Sequence, residues 1–338
     1  MWWSPHKLMA TMHEVARLAK VSIATVSAVM NRSSFVSPEL LKRVEDAAEQ
    51  LDYRVNLLAR SLKQGSTQTI GMLIPEIAML DPFFAEVVQG SEITLRAKNY
   101  SLLLGQTHNR VLEQSRHIAA FRARSVDGLL LFQAAGRDEE LEKLIAGGKA
   151  VVFVGRLPDG VVGDVVATDI EAGTIMGVEH LLGKGHRRVA LVTQKDSLSV
   201  REFRLKGWAQ ACAASGRIAD PLLHAEGELS VSGGRHAAMQ LLDRKPLPDA
   251  IFVDDLVLTI GIVQMLQERN LAGRIEVLSS DDADWLDVFH IPISTIVQPS
   301  HEVGVIAANL LLKRLRTPSR RRETVLLKPQ LKIREKGK

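Results

Sequence analysis

Three groups of residues in this chain have the types and spacing to do chemistry. Asp281, Asp282 and Asp284 could serve as an acid/base or metal cluster, and Gly183-Lys184-Gly185 could cradle a phosphate. The glycines lack the full spacing of a nucleotide-binding loop, and no His/Cys constellation accompanies the acids, so an enzyme reading is weak. Thr25, Ser27, Asn31 and Arg32 form the third group, offering hydroxyl, amide and guanidinium donors suited to the phosphate oxygens of a nucleic acid.

The third group is positioned by two short helices. Met12 to Lys20 places Val15, Leu18 and Ala19 at helical spacing, and Val26, Val29 and Met30 repeat that stripe after Val21. Ser22 is a fitting N-cap for the second helix. Only Lys20 and Val21 separate the two, which forces a sharp corner and predicts a helix-turn-helix, the arrangement that seats a second helix in the DNA major groove. An ordinary helical hairpin with a solvated outer face has the same periodicity. A third helix opens at Ser37-Pro38-Glu39, with cap, first-turn proline and acid in order, and carries Leu40, Val44, Ala47, Ala48 and Leu51 as its apolar face.

Charge is unevenly spread along the 338 residues. Residues 1–64 hold 9 Lys+Arg against 6 Asp+Glu, residues 313–338 hold 11 against 2, and the remainder is acidic. A basic head suits a polyanion, and an acidic body limits non-specific contact. The basic tail, including Arg320-Arg321-Arg322, reads first as a solvated loop and second as a nucleic-acid contact. The chain's length implies at least two folding units, and its 46% hydrophobic content can fill them. With a single cysteine, Cys212, no internal disulfide can form. Cys212 sits among alanines as an expected small core residue, which fits a reducing cytoplasm. No secretory or membrane-length apolar run occurs.

From Gln68 onward, apolar runs at 69–74, 101–105, 128–132 and 150–155, then 188–193, 250–253, 276–280 and 294–297, alternate with helical segments. Continuous apolar strands with helical crossovers predict parallel sheets covered on both faces, here in two groups. The fold class expected is α/β: an N-terminal all-α headpiece over residues 9–53, a connector over 54–67, and a two-lobed body over 68–338. Lobe 1 is expected at about 68–168 and 298–324, and lobe 2 at about 169–297 and 325–335. Ligands in such sheets lie beyond the carboxyl ends of the strands, in the cleft between lobes.

Glu14-Val15-Ala16-Arg17-Leu18-Ala19, Val21-Ser22 and Thr25-Val26-Ser27 resemble the start of the lactose-repressor (LacI/GalR) family of bacterial transcription regulators, and the similarity runs through Val36-Ser37-Pro38, Leu51-Asp52-Tyr53, Asn56 and Ala59-Arg60-Ser61-Leu62. The resemblance implies a periplasmic-binding-protein-like body and a homodimer on a palindromic double-stranded DNA operator, without cofactor or membrane. It makes Met9 a candidate first residue. It implies DNA contacts at Thr11, Ser22, Ile23, Ala24, Thr25, Ser27, Ala28, Asn31 and Arg32, and in the connector at Asn56, Ala59 and Leu62. There Leu62 would act as a wedge in the minor groove, since an apolar wedge unstacks and kinks the duplex. Val55 stands where the family commonly has proline. Ile23, Ala24 and Ala28 occupy the main base-reading positions but cannot form bidentate hydrogen bonds to bases, so thymine-methyl contact and DNA shape must carry more of the readout.

In the cleft the resemblance implies effector contacts by Phe83, Phe84, Arg204, Asp254 and Asp281. Asp254 stands where asparagine is usual, Gly155 where aspartate is frequent, and Leu229 where some members stack an aromatic ring; the stretch 78–80 looks inserted. The implied effector is a sugar or sugar derivative, with a corepressor such as a purine-like molecule or a phosphorylated protein as the alternative. No C-terminal leucine heptad suggests a tetramer.

Overall fold

The structure, a computed structural model, describes residues 10–31, 35–53, 65–75, 82–156, 160–195 and 198–335. It divides into two compact units, Met1–Thr67 and Gln68–Lys338, each described by itself below.

The first unit holds α1 (Met12–Ala19), α2 (Ile23–Asn31) and α3 (Pro38–Gln50). Each helix begins where a side-chain oxygen satisfies a first-turn amide. Thr11 and Glu14 form a reciprocal capping box on α1, the Ser22 Oγ accepts from the Thr25 amide at 3.0 Å, and the Ser37 Oγ accepts from that of Leu40 at 3.4 Å. Lys20 adopts a left-handed conformation (φ 51°), and the Val21 amide returns to the Ala16 carbonyl, which produces the corner. Arg43 on α3 donates to the carbonyls of Ala19 and Lys20, at 2.6 and 3.3 Å, and so pins that corner from 23 or more residues away. Val15, Ala16, Ala19, Val26, Val29, Val44, Ala47 and Ala48 make the core. Leu18, expected in it, is instead 46% exposed, because α1 turns only its 15/16/19 face inward.

The body begins with a six-stranded parallel sheet: β1 (Thr69–Ile74), β2 (Ser101–Gln106), β3 (Gly128–Leu131), β4 (Ala150–Val154) and β5 (Asp164–Thr168), with α4 (Phe83–Arg96), α5 (Val111–Ala123) and α6 (Glu139–Ala146) between them. A second sheet follows after α7 (Ile170–Gly183). It is formed by β6 (Val189–Gln194), β7 (His224–Gly227), β8 (Ala250–Val253), β9 (Glu276–Ser280) and β10 (Ser294–Val297), linked by α8 (Leu198–Ala214), α9 (Val231–Leu242) and α10 (Leu256–Glu268). After α11 (Ser300–Arg316), β11 (Thr324–Leu327) pairs with β5 and β12 (Gln330–Lys332) with β10.

The first sheet runs β11-β5-β4-β3-β1-β2, and the second repeats that order as β12-β10-β9-β8-β6-β7, with only β12 antiparallel. In each, the order reverses beside the lobe's first strand, between β1 and β3 and between β6 and β8, and such switch points open crevices at the strands' carboxyl ends. The chain passes between lobes at 168–170, 297–300 and 327–330. The last crossing differs from expectation: β11 lies wholly in the first sheet, so the return to lobe 2 comes after residue 327 and not at 325. Cys212 is buried in the second lobe's core, as expected. No described helix is long and apolar enough to cross a membrane.

Candidate DNA-reading helix and effector cleft

On α2, Ile23 is 41% exposed, Ala24 is exposed, and Thr25, Ser27 and Ala28 are half-buried, so the apolar side of the helix faces the core while the resemblance-implied base readers face outward. Thr11 and Ser22 are helix caps, and the Thr25 hydroxyl lies 2.9 Å from the Ser22 hydroxyl. Asn31 ends α2. Its side chain, together with Arg32, Asn56, Ala59 and Leu62, lies outside the described set, as do Val55 and the stretch 78–80.

In the body the five expected effector residues separate into two groups. Arg204 and Asp254, each only 3% exposed, form an ion pair with Nε to Oδ1 at 2.6 Å. The same guanidinium donates to the Ser280 Oγ at 2.6 Å and the Thr174 Oγ1 at 3.1 Å, and its Cζ sits 5.5 Å over the Phe252 ring. The second Asp254 oxygen accepts the Gln194 amide at 3.3 Å. Asp254 supplies an internal counter-charge, and the guanidinium fork ties α7, α8, β8 and β9 together. These two residues stand beneath the second switch point and do not line the cavity described next.

Phe83 and Asp281 do meet, across a 320 Å³ cavity between the lobes that Glu86, Asp284, Trp285 and Gln298 also line. Asp281, 8% exposed, has a left-handed backbone (φ 69°), and its carboxylate accepts from Gln298 Nε2 at 2.5 Å. Its neighbour has another task. Asp282 accepts from Thr295 and Lys332 and pairs with Arg334, which fastens the segment after β12 to lobe 2. Burial alone would raise the Asp282 carboxyl, but hydrogen bonds from Arg334, Lys332 and Thr295 outweigh it and hold the group below its ordinary value. All three acids therefore border the cavity, with Asp282 committed to the Arg334 clamp, and among the described residues no group of His, Cys, Asp and Glu is arranged to hold a metal.

Phe84 packs edge-on against both Phe83 and Phe132, at centroid distances of 5.2 and 5.1 Å. The Phe132 ring explains Gly155: a Cβ there would come within 2.4 Å of the ring, and φ is 80°. Gly155 therefore leaves room for the aromatic cluster. Gln298, which lines the cavity, and Phe132, which backs Phe83 and Phe84, were not singled out from the sequence; each sits immediately at the carboxyl end of a buried strand, a position that could have flagged both. Arg156, just beyond β4, lies outside this cavity; it donates to Asn109 at 3.1 Å and is held below its ordinary pKa by burial. Arg156 lines a separate cavity of 370 Å³ near the first crossing.

Comparison with known proteins follows the same division. Residues 11–56 match the family described as bacterial regulatory proteins, lacI family, and residues 178–335 match a periplasmic binding protein-like domain. The ribose operon repressor of Escherichia coli (strain K12) is 32% identical over 326 residues, covering 96% of this chain and 98% of the relative. This chain belongs to the LacI family. The LacI-family repressor PurR of Photobacterium profundum is 30% identical over 334 residues, covering 98% of this chain and 99% of the relative. Among solved structures of LacI-family members, the lac repressor dimer bound to operator and the anti-inducer ONPF superposes with a TM-score of 0.83 at 25% identity, over 97% of this chain and 98% of that one. The complex of the transcriptional regulator CelR with cellobiose gives 0.74 at 27%, over 97% and 100%. The ribose operon repressor, PurR and the lac repressor are transcriptional repressors and not enzymes, so the chain is a LacI-family DNA-binding regulator with an effector-type body.

Proposed function

We propose that this regulator binds a palindromic operator as a cytoplasmic homodimer, reading it with the exposed face of α2 and with Asn56, Ala59 and Leu62 in the connector, and that a small uncharged polyol in the interlobe cavity sets its operator affinity. One observation carries the effector reading: Asp281, Gln298 and Phe83 converge on a 320 Å³ space between lobes. A carboxylate and an amide offer directional partners to hydroxyl groups, and a ring face packs on the C–H surface of a sugar. The volume suits a monosaccharide-sized ligand. Glu86 and Asp284 border the same cavity, Asp282 is already matched by Lys332 and Arg334 and the nearby Arg204 by Asp254, and no cation is among the residues lining the space, so a phosphorylated or carboxylated sugar meets repulsion there. The ribose operon repressors and the CelR–cellobiose complex among the relatives support a sugar, as their names state for those proteins.

The Ser22 oxygen can accept at its cap while the hydroxyl donates to a phosphate, whereas the Thr11 hydroxyl must leave the Glu14 carboxylate to do so, and two-fold pairing follows from operator symmetry. Ligand occupancy acts by favouring one arrangement of the lobes, and its effect on DNA equals its differential affinity for the two. Titration calorimetry of the purified protein with a panel of neutral monosaccharides and their phosphates tests the site. One neutral sugar is expected to bind, and Asp281→Ala is expected to weaken it by about 10- to 100-fold, as loss of a charge-assisted hydrogen bond of about 1.5–3 kcal/mol implies. Tighter binding of the phosphates, or binding indifferent to Asp281, would refute the assignment.

A further inference from the structure

The parallel first sheet has a second functional end, opposite the cleft. Strands β1, β3, β4, β5 and β11 all begin there, and it is where the chain enters the body: the Gln68 amide donates to Asp127 at 2.9 Å, and the Asp127 amide to the Thr69 carbonyl at 2.8 Å. The loop 317–323 between α11 and β11 is held rigidly at this end. Arg314, largely buried, grips Asp164 through Nε and Nη2 at 2.8 and 3.0 Å and donates to the Pro318 carbonyl at 2.9 Å, while the Glu323 amide donates to Asp164 at 2.8 Å.

Around that rigid loop lies a concentration of unneutralised positive charge. Lys98, Arg124, Lys313, Arg316, Arg321 and Arg322 are exposed and form no ion pair among the described residues. Most carboxylates at this end are engaged elsewhere: Glu92 by Arg96, Glu140 by Arg122 and Lys143, Asp164 by Arg314, and Glu323 by Arg320, while Asp127 accepts the Gln68 amide and lies across a cavity from Arg322. Lys98, Arg124, Lys313 and Arg316 stand at or just beyond helix C-termini, where cations also offset the helix dipole. Arg321 and Arg322 have no such task, since they sit in the loop itself. A cavity of 380 Å³ lies beside Arg322, but Asp127 and Asp164 line it together with Arg314, already paired, which disfavours a small anion.

We infer that this basic end of lobe 1, centred on Arg316, Arg321 and Arg322, makes sequence-independent contacts with the phosphates of duplex DNA flanking the operator. The inference rests on the operator-reading proposal above. It fits because duplex DNA presents a dense line of phosphates, and a fixed array of exposed guanidinium groups at the end where the reading head is tethered can release counterions from it without reading bases. The acidic residues bordering the cleft lie at the opposite end of the sheet's strands, which gives the body one face attractive to DNA.

The test uses full-length protein, a site selected from random duplex DNA, and two fragments, one of the site alone and one with about ten base pairs added on each side. Wild type should bind the longer fragment more tightly and with a steeper dependence on salt. Arg316→Gln/Arg321→Gln/Arg322→Gln should bind the short fragment as wild type does and lose the advantage of the long one, with the slope of log K against log salt reduced by about 0.9 for each phosphate that is no longer neutralised. An unchanged slope and length dependence would overturn the inference and leave a solvated loop. A lowered melting temperature with an unchanged slope would likewise overturn it, assigning the cations to helix termini. If wild type selects no site, the operator-reading proposal fails and this inference with it.

Discussion

Replacing Arg204 with leucine should lower the stability of the body by about 3–5 kcal/mol, the range for removing one partner of a buried ion pair. The expectation follows from what remains. Asp254 would keep one weak acceptor contact, the Gln194 amide at 3.3 Å, and would otherwise be a desolvated charge beside Ser280 and Thr174 hydroxyls deprived of their donor. The pair itself is not worth that much, because the Coulombic gain is set against the desolvation of both ions. Arg204→Leu/Asp254→Leu should therefore recover most of the loss. Urea unfolding of wild type, the single variant and the double variant measures both, and a single-variant loss below about 1 kcal/mol would mean that Arg204 is not the organiser of this lobe.

The second large effect lies where α4 crosses α11. A Cβ on Gly304 would sit 2.2 Å from the Val87 carbonyl oxygen and 2.9 Å from the Ser91 nitrogen, and a Cβ on Gly90 would sit 2.2 Å from the His301 carbonyl oxygen. Each glycine lets the other helix's backbone approach, and the Ser91 hydroxyl bonds to the Gly304 carbonyl at 3.2 Å across the contact. Both obstacles are main chain, so Gly304→Ala must part the helices and disturb the packing of Val87, Val303 and Ala307, at an expected cost of about 3 kcal/mol, the upper part of the range for overpacked cores. Because α4 carries Phe83 and α11 follows Gln298, ligand affinity should fall too. Gly183→Ala is the control: no atom lies within 4 Å of its Cβ, and the substitution should be neutral or slightly stabilising. Equal melting temperatures for Gly304→Ala and Gly183→Ala would contradict the close-approach account.

The sequence was most legible where local signals and tertiary demands coincide. The caps at Ser22 and Ser37 and the corner at Lys20-Val21 could be read from residue types, and eight strands announced themselves as apolar runs because both faces of a parallel sheet are covered. The four unread strands lack that signal. Strand β5 opens on Asp164, tolerable in a buried strand only because Arg314 arrives from 150 residues away, and β7 (His-Ala-Glu-Gly), β11 and β12 lie at sheet edges. Leu18 was misplaced because helical periodicity leaves a choice of face that only α3 resolves.

At the site, residue identity could be read but partnership could not. Arg204 and Asp254 both stood out, yet no local pattern says that an arginine in α8 will be neutralised by an acid at the end of β8, 50 residues on. Asp281 and Asp282 are adjacent and chemically alike, and only the left-handed turn at Asp281 separates the cavity-facing carboxylate from the one that clamps Arg334.

A ligand in the cavity of Phe83, Asp281 and Gln298 should control DNA binding through α2. The most direct measurement is operator affinity by fluorescence anisotropy, on a site selected from random duplex DNA, with and without the sugar that calorimetry identifies, for wild type and for Asp281→Ala. The account predicts a wild-type affinity that changes at least about tenfold with saturating sugar, a coupling of about 1.4 kcal/mol, and an Asp281→Ala protein that binds the operator equally well but does not respond at the same sugar concentration. An operator affinity indifferent to a bound sugar in wild type, or a response that survives in Asp281→Ala, would contradict it.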